Sequence, residues 1–122
     1  MSDKCIRVLA DPIHINDCKS SLSTLEKHIE DLARVLQLAG NGARLKILFL
    51  LTREGEMCPC DFSDVLGISV SGVSQHLRKL KDAGLVKDKK VGQTIFYCLI
   101  PEKLTHLKPI LEFLSSESKT NA

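Results

Sequence analysis

The fold of this chain is decided by residues 69–84, whose sequence is SVSGVSQHLRKLKDAG. The apolar positions Val73, Leu77 and Leu80 recur at spacings of three and four, which predicts a helix with one buried face. The serines at the start of the stretch can cap this helix, and Gly84 can end it. The opposite face is polar, so one side of the helix is free to contact a partner.

A shorter helix is predicted immediately upstream, over residues 59–66. Pro59 suits the first position of a helix, where its missing N–H costs nothing, and Gly67 ends the helix. A tight turn, residues 68–70, separates it from the helix that follows. Two helices joined by such a turn, with a polar outer face on the second, are typical of a helix-turn-helix, and the second is its recognition helix.

A β-hairpin is predicted directly behind the recognition helix. Residues 85–91 and 94–100 form its strands, the second is rich in β-branched and aromatic residues, and Gly92 lies at the tip. From Arg78 to Lys90 the chain has six basic and two acidic residues, although its formal net charge is only +2. Positive charge is concentrated where phosphate contacts would form, so we interpret the hairpin as the wing of a winged helix-turn-helix.

The side chains predicted to contact DNA lie on the recognition helix and along the wing. Gln75 can pair with adenine and Arg78 with guanine, while serines of the same face can reach a phosphate or a base edge. The predicted set is Ser71, Ser74, Gln75, His76, Arg78, Lys79, Lys87, Lys89, Lys90 and Gln93.

The composition favours packed helices in a single domain. The 122 residues contain no Trp, one Tyr and four Phe, so aliphatic side chains supply most of the 43% that are hydrophobic. No apolar run reaches the ~20 residues that cross a bilayer, and no signal-peptide pattern opens the chain. We therefore expect a cytoplasmic protein without a membrane partner. In that compartment, five cysteines indicate free thiols, metal ligands or redox sensors rather than disulfides.

Further helices complete the expected fold, which is mainly α with a small β-hairpin (α+β). The first helix is predicted over residues 19–39, with Asn16 or Asp17 available as a cap, and a nearly apolar second helix follows. The last helix is predicted to begin at Pro101 and to be kinked or split by Pro109.

The first and last helices have more apolar surface than a small domain needs for its own core. This excess predicts a homodimer through these two helices, and a dimer fits a palindromic operator. We expect an N-terminal arm over residues 1–18, a DNA-binding and dimerisation domain over residues 19–115, and a disordered tail over residues 116–122.

Two thiols, Cys58 and Cys60, lie at the predicted start of the short helix. Because they are one residue apart, they cannot easily form a disulfide with each other, but both can bind one large soft ion. The positive end of the helix dipole favours the thiolate form there. Cys98 lies in the middle of a hairpin strand, where we expect a structural role. The arm supplies the remaining soft-ligand candidates, Cys5, His14 and Cys18.

The residues from Leu38 to Leu99 resemble the ArsR/SmtB family of metal-sensing winged-helix repressors. The motifs that carry the resemblance include EMCPCDF at residues 56–62 and VSQHLRKL at residues 73–80. The resemblance implies a homodimeric repressor that binds double-stranded operator DNA and leaves it when a metal or metalloid binds. One departure concerns the wing tip, where Gln93 replaces the Arg or Lys of many relatives.

Cys58 and Cys60 match the thiols of the family's site on the helix before the recognition helix. The third thiol that arsenite sensors often add is absent, since residues 61–63 are Asp, Phe and Ser. The cadmium- and lead-sensing branch instead uses cysteines of the arm, which implies Cys5 and Cys18 as further ligands. The expected inducer is a soft ion, Cd(II), Pb(II), Hg(II) or As(III), and no organic cofactor or small organic substrate is expected.

The family's second site, a zinc site on the last helix, is not expected in this chain. Pro101 and Lys103 occupy the approximate positions of its first pair of ligands. We therefore interpret His106 as a surface residue.

Two other functions remain open at this point. The same fold could sense thiol oxidation or persulfides, which requires a partner thiol within reach, such as Cys5 or Cys18. A Cys-x-Cys metal carrier or enzyme is a function of another class. The chain has no Gly-rich phosphate loop, recognisable catalytic triad or βαβ pattern, so we expect that it is not an enzyme.

Overall fold

The computed structural model describes residues 6–120, and the side chain of residue 120 is not part of that description. The chain divides into two compact units, residues 1–33 and residues 34–122. The elements are α1 (Pro12–Ala39), α2 (Gly42–Glu54), β1 (Glu56–Met57), α3 (Pro59–Leu66), α4 (Val70–Asp82), β2 (Val86–Val91), β3 (Thr94–Leu99), a 3₁₀ turn (Pro101–Lys103) and α5 (Lys108–Thr120).

Helix α1 begins seven residues earlier than the sequence pattern predicts. The side chain of Asp11 accepts hydrogen bonds from the backbone N–H groups of Ile13 and His14, both at 3.1 Å. Asp11 therefore caps the helix, and Asn16 and Asp17 lie inside it. Proline is tolerated in a first turn because the N–H it lacks has no partner inside the helix. Pro12 thus starts this helix.

The core of residues 34–122 is built around the apolar face of α4. Val73, Leu77 and Leu80 are fully buried, as the spacing of the apolar positions predicts. Helix α2 contributes a buried face of its own, and Phe62 of α3 completes the centre. The other buried members of this cluster are Ala39, Ile47, Leu48, Leu51, Met57, Leu85, Val86, Leu104, Leu107 and Leu111.

The predicted hairpin is present, and a third strand joins it. Strands β2 and β3 pair antiparallel with Gly92 in the turn, at a φ of 64° that suits glycine. We call β2, β3 and this turn the wing. Strand β1 pairs with the other edge of β3, with Glu56 opposite Cys98 and Met57 opposite Tyr97. Sequence periodicity did not predict β1, because two residues are too few to show an alternation.

The C-terminal segment is split, but its last α-helix does not begin at Pro101 as predicted, and the break lies before Pro109. A 3₁₀ turn starts at Pro101, and α5 begins separately at Lys108 with Pro109 in its first turn. The helix then continues to Thr120, although the sequence pattern predicts disorder from residue 116. Residues 115–120 contain neither Gly nor Pro, so nothing in them ends a helix that has already formed. Residues 121–122 lie outside the described part of the chain.

Within residues 6–120, no helix is long and apolar enough to cross a membrane.

We predict that Phe62→Ala lowers the free energy of unfolding by about 3–5 kcal/mol, because the ring is fully buried (0% exposed) and its removal leaves a cavity. Val65→Ala on the same helix is the matched control. Val65 is 60% exposed, and its truncation should change the free energy by about 0.5 kcal/mol or less. Urea denaturation followed by circular dichroism measures both. Equal destabilisation by the two substitutions would contradict this assignment of the core.

Candidate nucleic-acid interface and metal centre

The start of the recognition helix α4 is fixed by Ser69. Its Oγ accepts a hydrogen bond from the backbone N–H of Gly72 at 3.0 Å and lies 3.2 Å from the Oγ of Ser71. A Cβ at position 72 would lie 3.2 Å from the Ser69 Oγ, which is tighter than ordinary contact. Gly72 therefore leaves room for the cap, which sets where the polar face of the helix begins.

Four predicted DNA-contacting residues share one exposed polar groove. Ser71, Ser74, Gln75 and Arg78 line a cavity of about 590 Å³ together with Lys81, Asp82 and Tyr97. Because Tyr97 belongs to β3, this groove extends from the recognition helix to the wing. Donors and acceptors for base edges and phosphates are thus gathered on one side of α4.

His76 has a different environment from the other residues predicted to contact DNA. It is half-buried, and its Nδ1 lies 3.3 Å from an Nη of Arg44 on α2. Burial lowers the pKa of His76, and the positive charges of Arg44 and Lys79 lower it further. On a helical wheel His76 is about 40° from Leu80, so its place beside the core could have been inferred from the sequence.

The predicted wing residues Lys87, Lys89, Lys90 and Gln93 are all exposed. Lys89 nevertheless has a partner, since its Nζ lies 2.9 Å from a carboxylate oxygen of Glu56. Hydrogen bonding to Glu56, followed by the attraction between the two charges, raises the pKa of Lys89.

A second ion pair connects the recognition helix with the wing. The Nζ of Lys81 lies 3.0 Å from a carboxylate oxygen of Asp88, and this hydrogen bond raises the pKa of Lys81. Sequence reasoning missed this pair and the Glu56–Lys89 pair, because the members of each pair lie on different elements that only tertiary packing brings together.

The thiol pair occupies the start of α3. Cys58 is the residue before the first turn, in extended conformation, and its carbonyl accepts from the N–H of Asp61 at 3.1 Å and of Phe62 at 3.2 Å. Cys58 is half-buried, whereas Cys60 in the first turn is exposed, and both are free thiols. We call Cys58–Cys60 the thiol turn. Strand β1 ends at the preceding residue, so the thiol turn continues directly from the sheet.

The cysteines predicted from the arm are placed differently. Cys5 lies outside the described residues. Cys18 lies inside α1 and is exposed, with its Sγ 4.0 Å from the Nε2 of His14 one helical turn away. Cys98 is half-buried in the middle strand of the sheet, opposite Glu56 on one side and Lys87 on the other.

The thiol turn offers soft donors but not a full ligand set. Among residues 6–120, no three or more side chains of His, Cys, Asp or Glu are grouped where they could hold one metal ion. Two thiolates fit a soft ion by their chemistry, and three or four donors are usual for such ions. The described residues therefore offer a soft ion two thiols at this position, Cys58 and Cys60.

Comparison with known proteins establishes the family. The profile of the bacterial regulatory proteins of the arsR family matches residues 41–88. The chain is also 34% identical over 98 residues to the cadmium resistance transcriptional regulatory protein CadC homolog of Staphylococcus aureus. The aligned residues cover 80% of this chain and 77% of that protein. The chain belongs to the arsR family. The resemblance inferred from the sequence motifs is thereby confirmed.

Solved structures of similar fold agree with this assignment. Reduced HlyU from Vibrio cholerae matches with a TM-score of 0.66 and 35% identity, covering 76% of this chain and 94% of that one. The homodimeric winged helix-turn-helix DNA-binding domain Mb0332 from Mycobacterium bovis matches with a TM-score of 0.64 and 27% identity, covering 80% and 89%. The predicted winged helix-turn-helix fold is confirmed.

We predict that iodoacetamide alkylates Cys18 and Cys60 before Cys58 and Cys98, because the first two thiols are exposed and the last two are half-buried. Mass spectrometry of peptides from the folded, reduced protein measures the order. Protein unfolded in guanidinium serves as the control, in which the difference between the two pairs should vanish. Faster labelling of Cys58 than of Cys60 in the folded protein would contradict the half-buried position of Cys58.

Proposed function

We propose that this chain is a transcriptional repressor that binds operator DNA as a homodimer and is released when a soft thiophilic ion binds the thiol turn. The observation that carries the proposal is the position of the thiol turn between β1 and α3, which contact the two elements proposed to bind DNA. It opens α3, which packs against the recognition helix α4. It also follows β1, which is hydrogen-bonded to β3 of the wing.

The DNA-bound form uses the polar groove of α4. Gln75 and Arg78 read base edges in the major groove, and Ser71 and Ser74 contact bases or phosphates. The DNA backbone is contacted by the basic and polar residues outside this groove: Lys79, Lys87, Lys89, Lys90 and Gln93. His76 supports the helix from its inner side.

The homodimer places two recognition helices on two half-sites about one helical turn apart. Its support is the apolar surface that α1 and α5 each leave exposed. The exposed large apolar side chains of these helices are Ile13, Leu22, Leu25, Ile29, Leu36, Ile110 and Phe113. The solved Mb0332 domain, which has the same fold, is homodimeric.

The inducer is Cd(II), Pb(II), Hg(II) or As(III), held by Cys58 and Cys60 together with Cys18, Cys5 or both. Thiolate ligands select soft ions of this kind, and a cadmium-resistance regulator is among the similar proteins. A bound ion would supply a cross-link between these thiols. The protein works in the cytoplasm, as a regulator rather than an enzyme, and needs no organic cofactor.

In the proposed release mechanism, the protein has two arrangements of the α3–α4 and β1–β3 contacts. Ion binding favours one arrangement and DNA binding favours the other. Restraining the thiol turn changes how α3 supports α4 and how β1 supports β3. A small displacement of either element spoils the fit of both half-sites, and allosteric couplings of about 1–3 kcal/mol suffice for such a switch.

We predict that Cd(II) weakens DNA binding of the reduced protein about fivefold or more. The probe is a fluorescein-labelled duplex that the protein itself selects from a randomised pool. A duplex of about 30 base pairs is long enough to hold two half-sites. Fluorescence anisotropy should show that Cys58→Ser and Cys60→Ser keep the ion-free affinity but lose the response. Cys98→Ser is the matched control and should respond as the natural protein does.

The other outcomes of this experiment are equally informative. A protein that selects no duplex contradicts the repressor proposal. Release by hydrogen peroxide, with none by Cd(II), Pb(II), Hg(II) or arsenite, would assign the thiols to redox sensing. If Cys58→Ser loses affinity for the duplex in the absence of an ion, the result would show that the Cys58 thiol has a structural role. The single variants Cys5→Ser and Cys18→Ser identify the additional ligand.

A further inference from the structure

Arg44 connects three elements of the fold through its backbone and its side chain. Its backbone N–H donates to the Oδ1 of Asn41 at 3.1 Å, which caps α2. Its Nε donates to the carbonyl of Leu38, near the end of α1, at 2.8 Å. An Nη of the same guanidinium lies 3.3 Å from the Nδ1 of His76 on α4. One half-buried side chain thus joins the end of α1 and the start of α2 to the recognition helix.

The contact with Arg44 fixes the protonation state of His76. A guanidinium is a donor without acceptor capacity, so the Nδ1 of His76 must accept with its lone pair. The imidazole is then neutral, with its proton on Nε2. A second ring proton would remove the acceptor and place two positive groups 3.3 Å apart.

We propose that the Arg44–His76 hydrogen bond positions the recognition helix for DNA, and that protonation of His76 weakens operator binding. This inference rests on the proposed DNA-binding function. His76 directly follows Gln75 and precedes Arg78 by two residues, so a movement of His76 is carried to both base-reading side chains. Its role is to position these side chains from the inner face of α4.

The charged surroundings of His76 oppose its protonation. Helices α2 and α3 and strand β2 pack against α4. Helix α2 presents Arg44, and Lys79 on α4 adds a second positive charge. The carboxylates of α3, Asp61 and Asp64, are exposed, and Asp88 of β2 is paired with Lys81.

The direction of the pH effect follows from these contacts. Burial and the two positive charges hold the pKa of His76 below its ordinary value of 6.5. The contact is therefore intact at pH 7.5 and is lost as the pH falls below 6.5 and through the pKa of His76. A general gain of positive charge would act in the opposite direction, because it favours phosphate binding. Weaker binding in acid thus distinguishes this contact from a general charge effect.

The test compares DNA affinity at pH 7.5 and pH 5.5 in the absence of metal, with the selected duplex and fluorescence anisotropy. We expect the natural protein to lose about fivefold or more in affinity on acidification. His76→Asn retains an acceptor that does not titrate, so it should bind well at pH 7.5 and lose little in acid. Arg44→Lys keeps the charge but loses the planar fork, and it should bind weakly at both pH values. His106→Asn, at an exposed position, is the matched control and should titrate as the natural protein does.

Equal acid sensitivity in His76→Asn and the natural protein would overturn the proposal. NMR of the unsubstituted protein gives a test that depends on no variant. The imidazole of His76 should titrate at a lower pH in the DNA complex than in the free protein, and an equal or higher pKa in the complex overturns the proposal. A protein that binds no duplex at pH 7.5 removes the proposed function and this inference together, whereas pH-independent binding removes this inference alone.

Discussion

Burial of Phe62 is the constraint on which the site depends. This ring lies two residues after Cys60, and it belongs to the same core cluster as the apolar face of α4. Helix α3 therefore cannot turn freely about its axis, since turning would expose the ring to water. The thiols therefore lie at the start of a helix whose buried face packs against the apolar face of α4. In the proposed mechanism, a restraint applied at the thiol turn would act on the core contact that supports the polar face of α4.

The charged residues around this core connect elements of the fold, in addition to the DNA contacts proposed for them. Lys89 is paired with Glu56, which stands two residues before Cys58, so a wing lysine is tied to the strand that leads into the thiol turn. An exposed pair of this kind contributes little to stability, because water screens the attraction between the two charges. The same weakness would let a DNA phosphate replace Glu56 as the partner of Lys89 in the proposed complex. The contacts of Arg44 hold their elements together more strongly than the Lys89–Glu56 pair does, because Arg44 is half-buried and its side chain makes two contacts.

Sequence patterns predicted the elements that carry strong local signals. The recognition helix was found because its apolar spacing, its serine cap and Gly84 agree. The sequence did not predict the start of α1, since Pro12 is compatible with both the end and the beginning of a helix. The pairing of Arg44 with His76 joins residues 32 positions apart and depends on tertiary packing that no local pattern encodes. For the same reason, the sequence named the thiols of the candidate site but not the groups that connect them to the wing.

The central claim is that ion binding at the thiol turn and DNA binding are coupled, and reciprocity provides its most direct test. If an ion weakens DNA binding by some factor, saturating DNA must weaken ion binding by the same factor. The measurement is the Cd(II) affinity of the reduced protein, followed by thiolate-to-metal absorption, with and without the selected duplex. Coupling predicts weaker Cd(II) binding in the DNA complex, by the factor seen in DNA affinity. Equal Cd(II) affinity in the two states would contradict it.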